Sequence, residues 1–343
     1  MSENDFLAQL QEIFENAYGY AERFQARDLK LTEIDHISDE EQFRAEENYA
    51  EETLEIESMP DSVDLSRDSN PIEIAAVDTS SLVLGETDQG TGVAIRGAVI
   101  VQRGDRFETH TLGPYVAHVT PSNARDIYST LRKALGMQAG TASEPSLFKI
   151  VDRIRNMIER LAQRYANRRI SNGIVLWDGA LTRSMDTPKE VFDESFRQAM
   201  ARSNHIVSVT KTTRLWLRSD RRLLDAFAGR SRSEMCEIPT DRIRTSPRDI
   251  LGTVHVVRFT PDGFSFRVDV KAQSGHCCDI IRQVKGNCLF RYGYPEPLCR
   301  AHINAFFTPT EGMALQGMFA DRHRLQIIPA FNLRTYVFGP FGG

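Results

Sequence analysis

Two short apolar runs, each leading to an aspartate, dominate the hydrophobic pattern. Residues 72–80 read IEIAAVDTS and contain Asp78, and residues 173–181 read GIVLWDGAL and contain Asp178 in the equivalent place. Consecutive apolar positions predict strands buried on both faces. We expect each strand to stop at its aspartate, which would bring two carboxylates to one edge of a sheet. Because such a pair is unfavourable without a cation between the charges, the pattern predicts a metal site.

The rest of the pattern alternates between strand and helix. Strands are predicted at 93–103, 107–119 (with a break at Gly113-Pro114) and 205–213, a hairpin at 254–270, and a last strand in 327–343. Helices are predicted at 121–135, 146–167, 188–202, 214–232 and 297–307. This alternation favours an α/β fold with a mixed sheet flanked by helices.

The first 70 residues differ in charge from the remainder. They carry 20 acidic and 5 basic side chains, net −15, whereas the remainder carries 27 and 37, net +10. Apolar residues at helical spacing over 6–24 predict an amphipathic helix, and the acidic stretch 32–68 predicts helix pieces or a poorly ordered linker. We therefore expect an acidic N-terminal helical arm at 1–70 and one domain at 71–343. A basic body suits a polyanionic partner, although a merely solvated surface explains the charge equally well.

Composition indicates an ordinary globular protein. Of the 343 residues 41% are hydrophobic and 26% charged, and no apolar run reaches the roughly 20 residues that a membrane span needs. The N-terminus lacks the basic start of a signal peptide. We interpret the five cysteines as reduced thiols and expect a cytoplasmic protein without a membrane partner.

Several short motifs in a fixed order together resemble the NurA nuclease family over most of residues 71–320. Eight residues lead from Tyr294 to His302, and nineteen from Glu159 to Asp178. The chain departs from the family at Thr79, where the family usually has glycine. The motifs are VDTS with Asp78, the helix with Glu159, LWDGAL with Asp178, VTKTT with Lys211, and GYPEPLCRAH with Tyr294 and His302.

The resemblance implies a ribonuclease-H-like fold and a metal-dependent DNA nuclease, an exonuclease or single-strand endonuclease of DNA end resection and repair. It also implies a homodimer that works with a HerA-type hexameric ATPase. On that analogy manganese or magnesium, at a two-metal site, is held by Asp78, Glu159, Asp178 and His302, and Tyr294 lies beside them. The chain has no GxxxxGK[ST] motif, so ATP hydrolysis would belong to the partner.

These residue types suit phosphodiester cleavage. Hard divalent cations prefer carboxylate oxygens, and an added imidazole favours manganese over magnesium. Two such ions about 4 Å apart can activate a water and neutralise the leaving oxygen. Lys211, near the end of a strand, could bind the scissile phosphate.

Each candidate also has a plain structural explanation. A strand-terminal aspartate is often a cap or turn former. Glu159 lies about 150° from the centre of its helix's apolar stripe, so its spacing alone predicts a solvent-facing residue. His302 falls within an apolar stripe and suits a core histidine as well as a ligand. Tyr294 could simply pack, and Lys211 could lie on a solvated surface.

Three alternatives stay open. The cysteine-rich stretch at 276–278, with Cys288, Cys299 and His302, contains zinc-ligand types, but its gaps do not match paired ligand spacings, so we do not expect zinc there. A catalytically inactive adaptor that clamps DNA or docks on the translocase is the second functional reading. A ribonuclease-H-like enzyme that acts on RNA is the third.

Overall fold

The structure is a computed structural model of the full chain. It describes residues 26–32, 52–137, 147–183, 189–213, 215–228, 232–244, 250–272 and 277–329, together with the helical positions Ala8 and Glu12.

The described residues form sixteen strands and seven helices. The strands are β1 Asp28–Leu31, β2 Glu52–Leu54, β3 Val63–Asp64, β4 Ile74–Glu86, β5 Thr91–Arg103, β6 Arg106–Val119, β7 Ile174–Asp178, β8 His205–Thr210, β9 Leu215–Trp216, β10 Glu234–Ile238, β11 Ile243–Arg244, β12 Thr253–Arg258, β13 Phe266–Lys271, β14 Phe290–Arg291, β15 Tyr294–Pro295 and β16 Gln326–Ile328. The helices are α1 Ala124–Ala134, α2 Leu147–Arg169, α3 Lys189–Met200, α4 Leu223–Phe227, α5 Cys277–Asn287, α6 Glu296–Ala305 and α7 Pro309–His323.

One sheet of eleven strands carries most of the described chain. Strands β6, β5 and β4 form an antiparallel meander, and β7 and β8 then run parallel to β4. The sheet continues antiparallel through β13, β12, β10 and β3. Strand β1 pairs with the C-terminal end of β4, and β16 pairs with β1. The predicted mixed α/β sheet flanked by helices is therefore confirmed.

Helices cover both faces of the meander. Alternate residues of a strand face opposite sides, so β4 contributes to two cores. Ala75 and Val77 pack in the core that contains the apolar stripe of α2, whereas Ile74 and Ala76 pack in the core that contains α5 and α6. All four are buried, as the uninterrupted apolar run predicts.

The strand predicted to stop at Asp78 continues to Glu86, so that expectation is wrong. The reason is pairing: β5 accompanies β4 along its whole length, and β1 pairs with its last residues. Thr79 lies within the strand and is not among the described residues with positive φ. Glycine's freedom is therefore not needed at the position where the chain departs from the NurA pattern.

Most other predicted elements are present within a few residues of their expected bounds. One prediction fails: the described part of 214–232 contains the short helix α4 and strand β9 instead of one basic helix. The break predicted at Gly113-Pro114 is an irregularity in the pairing of β6 with β5, with a cis peptide at that bond, and the strand continues past it. Strand β10 and helices α5 and α7 had no predicted counterpart. Of the tail at 327–343, Ile327 and Ile328 are in a strand, and residues from 330 lie outside the described part.

Within residues 1–70, three described strands pair with strands from later parts of the chain. Strand β1 pairs with β4 and β16, β2 with β9 and β11, and β3 with β10. Ala8 and Glu12 are helical, and the rest of the helix predicted at 6–24 lies outside the described residues. The five cysteines are free thiols. In the described residues no helix is long and apolar enough to cross a membrane.

Candidate functional site

Asp78 and Asp178 lie side by side on neighbouring parallel strands. Strands β4 and β7 pair in register up to Val77 opposite Trp177, and the aspartates are the next position on each strand. The spacing between neighbouring strands is about 4.8 Å, and equivalent positions of paired strands share a face. The sequence prediction that the two carboxylates meet at one place in the sheet is therefore confirmed. They do so because β4 and β7 pair in register, although β7 ends at Asp178 whereas β4 continues.

Each carboxylate has a basic partner from a distant part of the chain. The Oδ2 atom of Asp78 lies 2.8 Å from Nδ1 of His302, which α6 carries over the sheet. The Oδ2 atom of Asp178 accepts a hydrogen bond of 2.9 Å from the Lys211 ammonium, which follows the end of β8. An ionised carboxylate only accepts, so Nδ1 of His302 is the donor in this contact.

The other oxygen of each aspartate is held by the backbone. The Thr79 amide donates to Oδ1 of Asp78 at 2.7 Å, and the Gly179 amide donates to Oδ1 of Asp178 at 2.9 Å. Gly179 has a φ of +88°, a conformation that favours glycine and turns the chain away directly after the strand. The turn-former explanation therefore holds for Asp178 alone, because β4 continues past Asp78, and the second oxygen of each aspartate faces its basic partner.

Tyr294 lies between the two aspartates. The side chain is buried, and its hydroxyl makes no hydrogen bond of ordinary geometry to a described residue. Burial raises its pKa well above the usual range, and the negative charges of Asp178 and Asp78 raise it further. The Lys211 ammonium is 5.0 Å from the centre of its ring. The hydroxyl also interacts with the Asp178 carboxyl, so plain packing does not account for the whole side chain.

Glu159 approaches the same place from the other side of the sheet. Helix α2 is covered on a second face, where Gln163, Arg164 and Asn167 are buried, and Gln163 donates to the Glu159 carboxylate at 2.9 Å. Burial raises the pKa of Glu159; Arg160 and Arg155 oppose this, and Asp78 and Asp178 add to it. Glu159 is therefore only partly exposed, and the fully solvent-facing position that helical spacing alone predicted is wrong, because polar residues on the same side of α2 are buried.

A buried ion pair that the sequence analysis did not identify fixes the chain after Asp178. Asp269 on β13 receives hydrogen bonds of 2.8 and 3.0 Å from Arg267, and its Oδ2 accepts from the Leu181 amide at 2.8 Å. Asp269 is fully buried and Arg267 nearly so. Alternation along 254–270 predicted the hairpin but gave no signal that two of its polar residues would face inward.

The donor set fits hard divalent cations. Three carboxylates supply oxygens, one imidazole supplies a nitrogen, and a buried tyrosine hydroxyl is available next to them. No three of these acidic and histidine donors lie within 4.8 Å of one another in the described residues.

Comparison with known proteins identifies the fold. No protein-family model matches the sequence, and no curated protein sequence matches it. Among solved structures, the NurA nuclease from Sulfolobus solfataricus aligns with 94% of this chain and 98% of its own, with a TM-score of 0.52 and 11% identity. A second NurA crystal structure aligns with 89% of this chain and 96% of its own, with a TM-score of 0.36 and 12% identity. The first alignment shows that this chain has a NurA-like α/β fold.

Proposed function

We propose that this protein is a metal-dependent deoxyribonuclease that hydrolyses phosphodiester bonds during DNA end processing. The observation that carries the proposal is the convergence of Asp78, Asp178 and Glu159 on a NurA-like fold. Carboxylates from three elements are near enough that Asp78 and Asp178 help to raise the pKa of Glu159, so each charge disfavours the others. A divalent cation resolves that conflict, and the proposed chemistry uses it.

The sheet order supports a ribonuclease-H-like assignment for the core. An antiparallel meander of β6, β5 and β4 is followed by two strands parallel to β4. One aspartate lies on β4 and the other at the end of β7, the strand next to it. The resemblance in the sequence motifs implies the same fold.

The side chains have distinct tasks in this proposal. Bound divalent ions would supply the activation of a water molecule and the neutralisation of the leaving oxygen. Asp78, Asp178 and Glu159 would hold them through oxygen, and His302 through Nε2, because Asp78 orients the ring through Nδ1. Lys211 lies beside Asp178 and is half-buried, so its ammonium can bind a phosphate oxygen. The Tyr294 hydroxyl stays protonated and can donate to the same phosphate.

Manganese is the proposed metal, with magnesium as the alternative. The one nitrogen ligand is the reason, because imidazole suits manganese better than it suits the harder magnesium ion.

DNA, a HerA-type hexameric ATPase and a second copy of the chain are the proposed partners, in the cytoplasm. The net charge of +10 on residues 71–343 supports a polyanionic substrate. Exposed apolar side chains on consecutive helices support a protein partner; they are Ile303 on α6 and Met313 and Met318 on α7.

The test is a digest of end-labelled single- and double-stranded DNA by the purified protein, with manganese, with magnesium and with chelator. We expect cleavage that requires metal and is lost in Asp178→Asn. Asp193→Asn is the matched control, because Asp193 also pairs with a lysine, at 2.8 Å, but on an exposed helix. Equal digestion by wild type and Asp178→Asn would refute the site. Parallel digests of RNA distinguish the ribonuclease alternative.

A DNA-clamping adaptor without catalysis is the second candidate. The ion pair between Lys211 and Asp178 favours it, because the ammonium already neutralises one carboxylate without a metal. Retained DNA binding with no products under every metal condition would favour the adaptor over the nuclease.

A further inference from the structure

A second group of metal-ligating side chains lies away from the aspartates. The Glu237 carboxylate, the His255 imidazole and the Cys278 thiol place one donor atom each within 4.8 Å of the others. It is the one such group of three in the described residues. His276, Cys288, Cys299 and His302, which the sequence analysis considered for zinc, are not in it; His276 lies outside the described residues.

Strand pairing and one helix terminus build the group. Glu237 on β10 is directly opposite His255 on β12, and their Oε2 and Nε2 atoms are 3.8 Å apart. Cys278 is the second residue of α5, which packs on this face of the sheet through Ile280, Ile281 and Val284. Residues from three elements separated in sequence therefore meet at one point.

His255 is the residue that general packing does not explain. Its side chain is fully buried, and neither ring nitrogen makes a hydrogen bond of ordinary geometry to a described residue, although the backbone of Thr253 and Val268 interacts weakly with the ring. A buried polar group without a hydrogen bond costs about 1–3 kcal/mol, so such groups usually have a partner. A cation between His255, Glu237 and Cys278 would supply one.

Burial shifts the pKa of two of the three side chains. Burial lowers the pKa of His255, against smaller opposing effects of Glu237 and nearby backbone, so the imidazole is neutral and has a lone pair to donate. Burial raises the pKa of Cys278; Arg282 opposes this, and Glu237 adds to it. The thiol is therefore protonated without a cation, and a bound metal would release that proton.

We propose that Glu237, His255 and Cys278 form a second metal site that takes zinc or a similar borderline-soft divalent ion. One thiolate, one imidazole and one carboxylate are all ligands of zinc, and three protein ligands leave a fourth tetrahedral position for water. Glu237 is 60% exposed, so ions can enter from solvent. The ion joins two strands of the large sheet to the start of α5.

The ligand chemistry separates this site from the aspartate site. The aspartate site has no sulfur ligand, so a metal bound there shows no thiolate absorption. Cobalt(II), a spectroscopic substitute for zinc, gains an intense thiolate charge-transfer absorption when a cysteine binds it. The test of this site is therefore independent of the proposed nuclease activity.

The experiment titrates chelator-treated full-length protein with cobalt(II) and then displaces the cobalt with zinc. We expect a stoichiometric thiolate-to-cobalt band that zinc abolishes, and a rise in the unfolding temperature with zinc. Cys278→Ser removes the band. Cys277→Ser, the matched control, keeps it, because that thiol points to the Thr253 hydroxyl at 3.5 Å and is outside the group.

Glu237→Gln gives a second measurement that does not depend on how Cys278→Ser folds. It retains the thiolate band but weakens cobalt binding by at least the roughly tenfold that loss of even an outer-shell partner costs. Absence of a thiolate band in the wild type would overturn the proposal. So would a band that survives in folded Cys278→Ser, or cobalt affinity unchanged in Glu237→Gln.

Discussion

Replacing Asp78 with asparagine separates the electrostatic cost of the site from its function. The carboxylates of Asp78 and Asp178 are about one strand spacing apart, roughly 4.8 Å. At an effective dielectric constant of about 20, two negative charges at that distance repel by about 3.5 kcal/mol. The aspartates are partly exposed, 16% for Asp78 and 26% for Asp178, and each faces a basic group, so solvent and partners reduce this value.

Asparagine retains the shape of aspartate, and its amide oxygen can still accept from Nδ1 of His302. Without metal we therefore expect Asp78→Asn to be as stable as the wild type or more stable, by up to about 2 kcal/mol once screening is included. With manganese we expect the wild type to be more stable than Asp78→Asn. An ion at 100 times its dissociation constant stabilises the wild type by about 2.7 kcal/mol, and the variant loses most of that gain.

The assay is thermal and urea unfolding of both proteins with chelator and with manganese. Asp126→Asn, an exposed acid in the first turn of α1, is the control and should respond to manganese as the wild type does. If manganese stabilises Asp78→Asn as strongly as the wild type, or if the variant is destabilised by several kcal/mol without metal, the two aspartates are not a repelling pair held by a cation.

Two further predictions follow from the buried groups. Because the pKa of Glu159 is raised in the folded protein, that state holds a proton that unfolded Glu159 releases. The metal-free protein therefore loses stability as pH rises from the unfolded to the folded pKa of Glu159, by about 1.4 kcal/mol for each pH unit between them. Glu159→Gln should lack this loss in urea unfolding at a series of pH values, whereas parallel pH profiles of the two proteins would contradict it. Asp269→Ala leaves Arg267 buried without its carboxylate and should cost about 3–5 kcal/mol in urea unfolding. A cost below about 1 kcal/mol would show that the pair does not hold the chain after Asp178.

Local patterns predicted the strands and the aspartate pair because both depend on short-range information. The apolar run before Asp78 and its counterpart before Asp178 predict two buried strands, and the register of the parallel pair then brings the acids together. Helix α2 was predicted from its stripe with bounds close to those observed.

The exposure of Glu159 and the end of β4 were predicted wrongly because both depend on neighbouring elements of the fold. Helical spacing placed Glu159 in solvent because one stripe of α2 is apolar, yet polar residues outside that stripe, such as Gln163 and Asn167, are also buried. The end of β4 was misplaced because its continuation depends on pairing with β5 and β1, which a local pattern does not contain.

The group of Glu237, His255 and Cys278 was also not predicted, because it depends on contacts between distant parts of the chain. Its residues are separated by 17 and 22 positions and follow no ligand-spacing motif. The facing of Glu237 and His255 requires strand β10, which the pattern of residues 232–244 did not reveal. The sequence contained the ligand types, but only the pairing of strands brought them together.

The most direct test of the central claim is anomalous X-ray diffraction from crystals of the wild-type protein soaked in manganese. We expect manganese peaks between the carboxylates of Asp78 and Asp178, with at least one within coordination distance of Glu159 or His302. Well-ordered crystals that show full manganese occupancy elsewhere on the protein, and none between these two aspartates, would contradict the account.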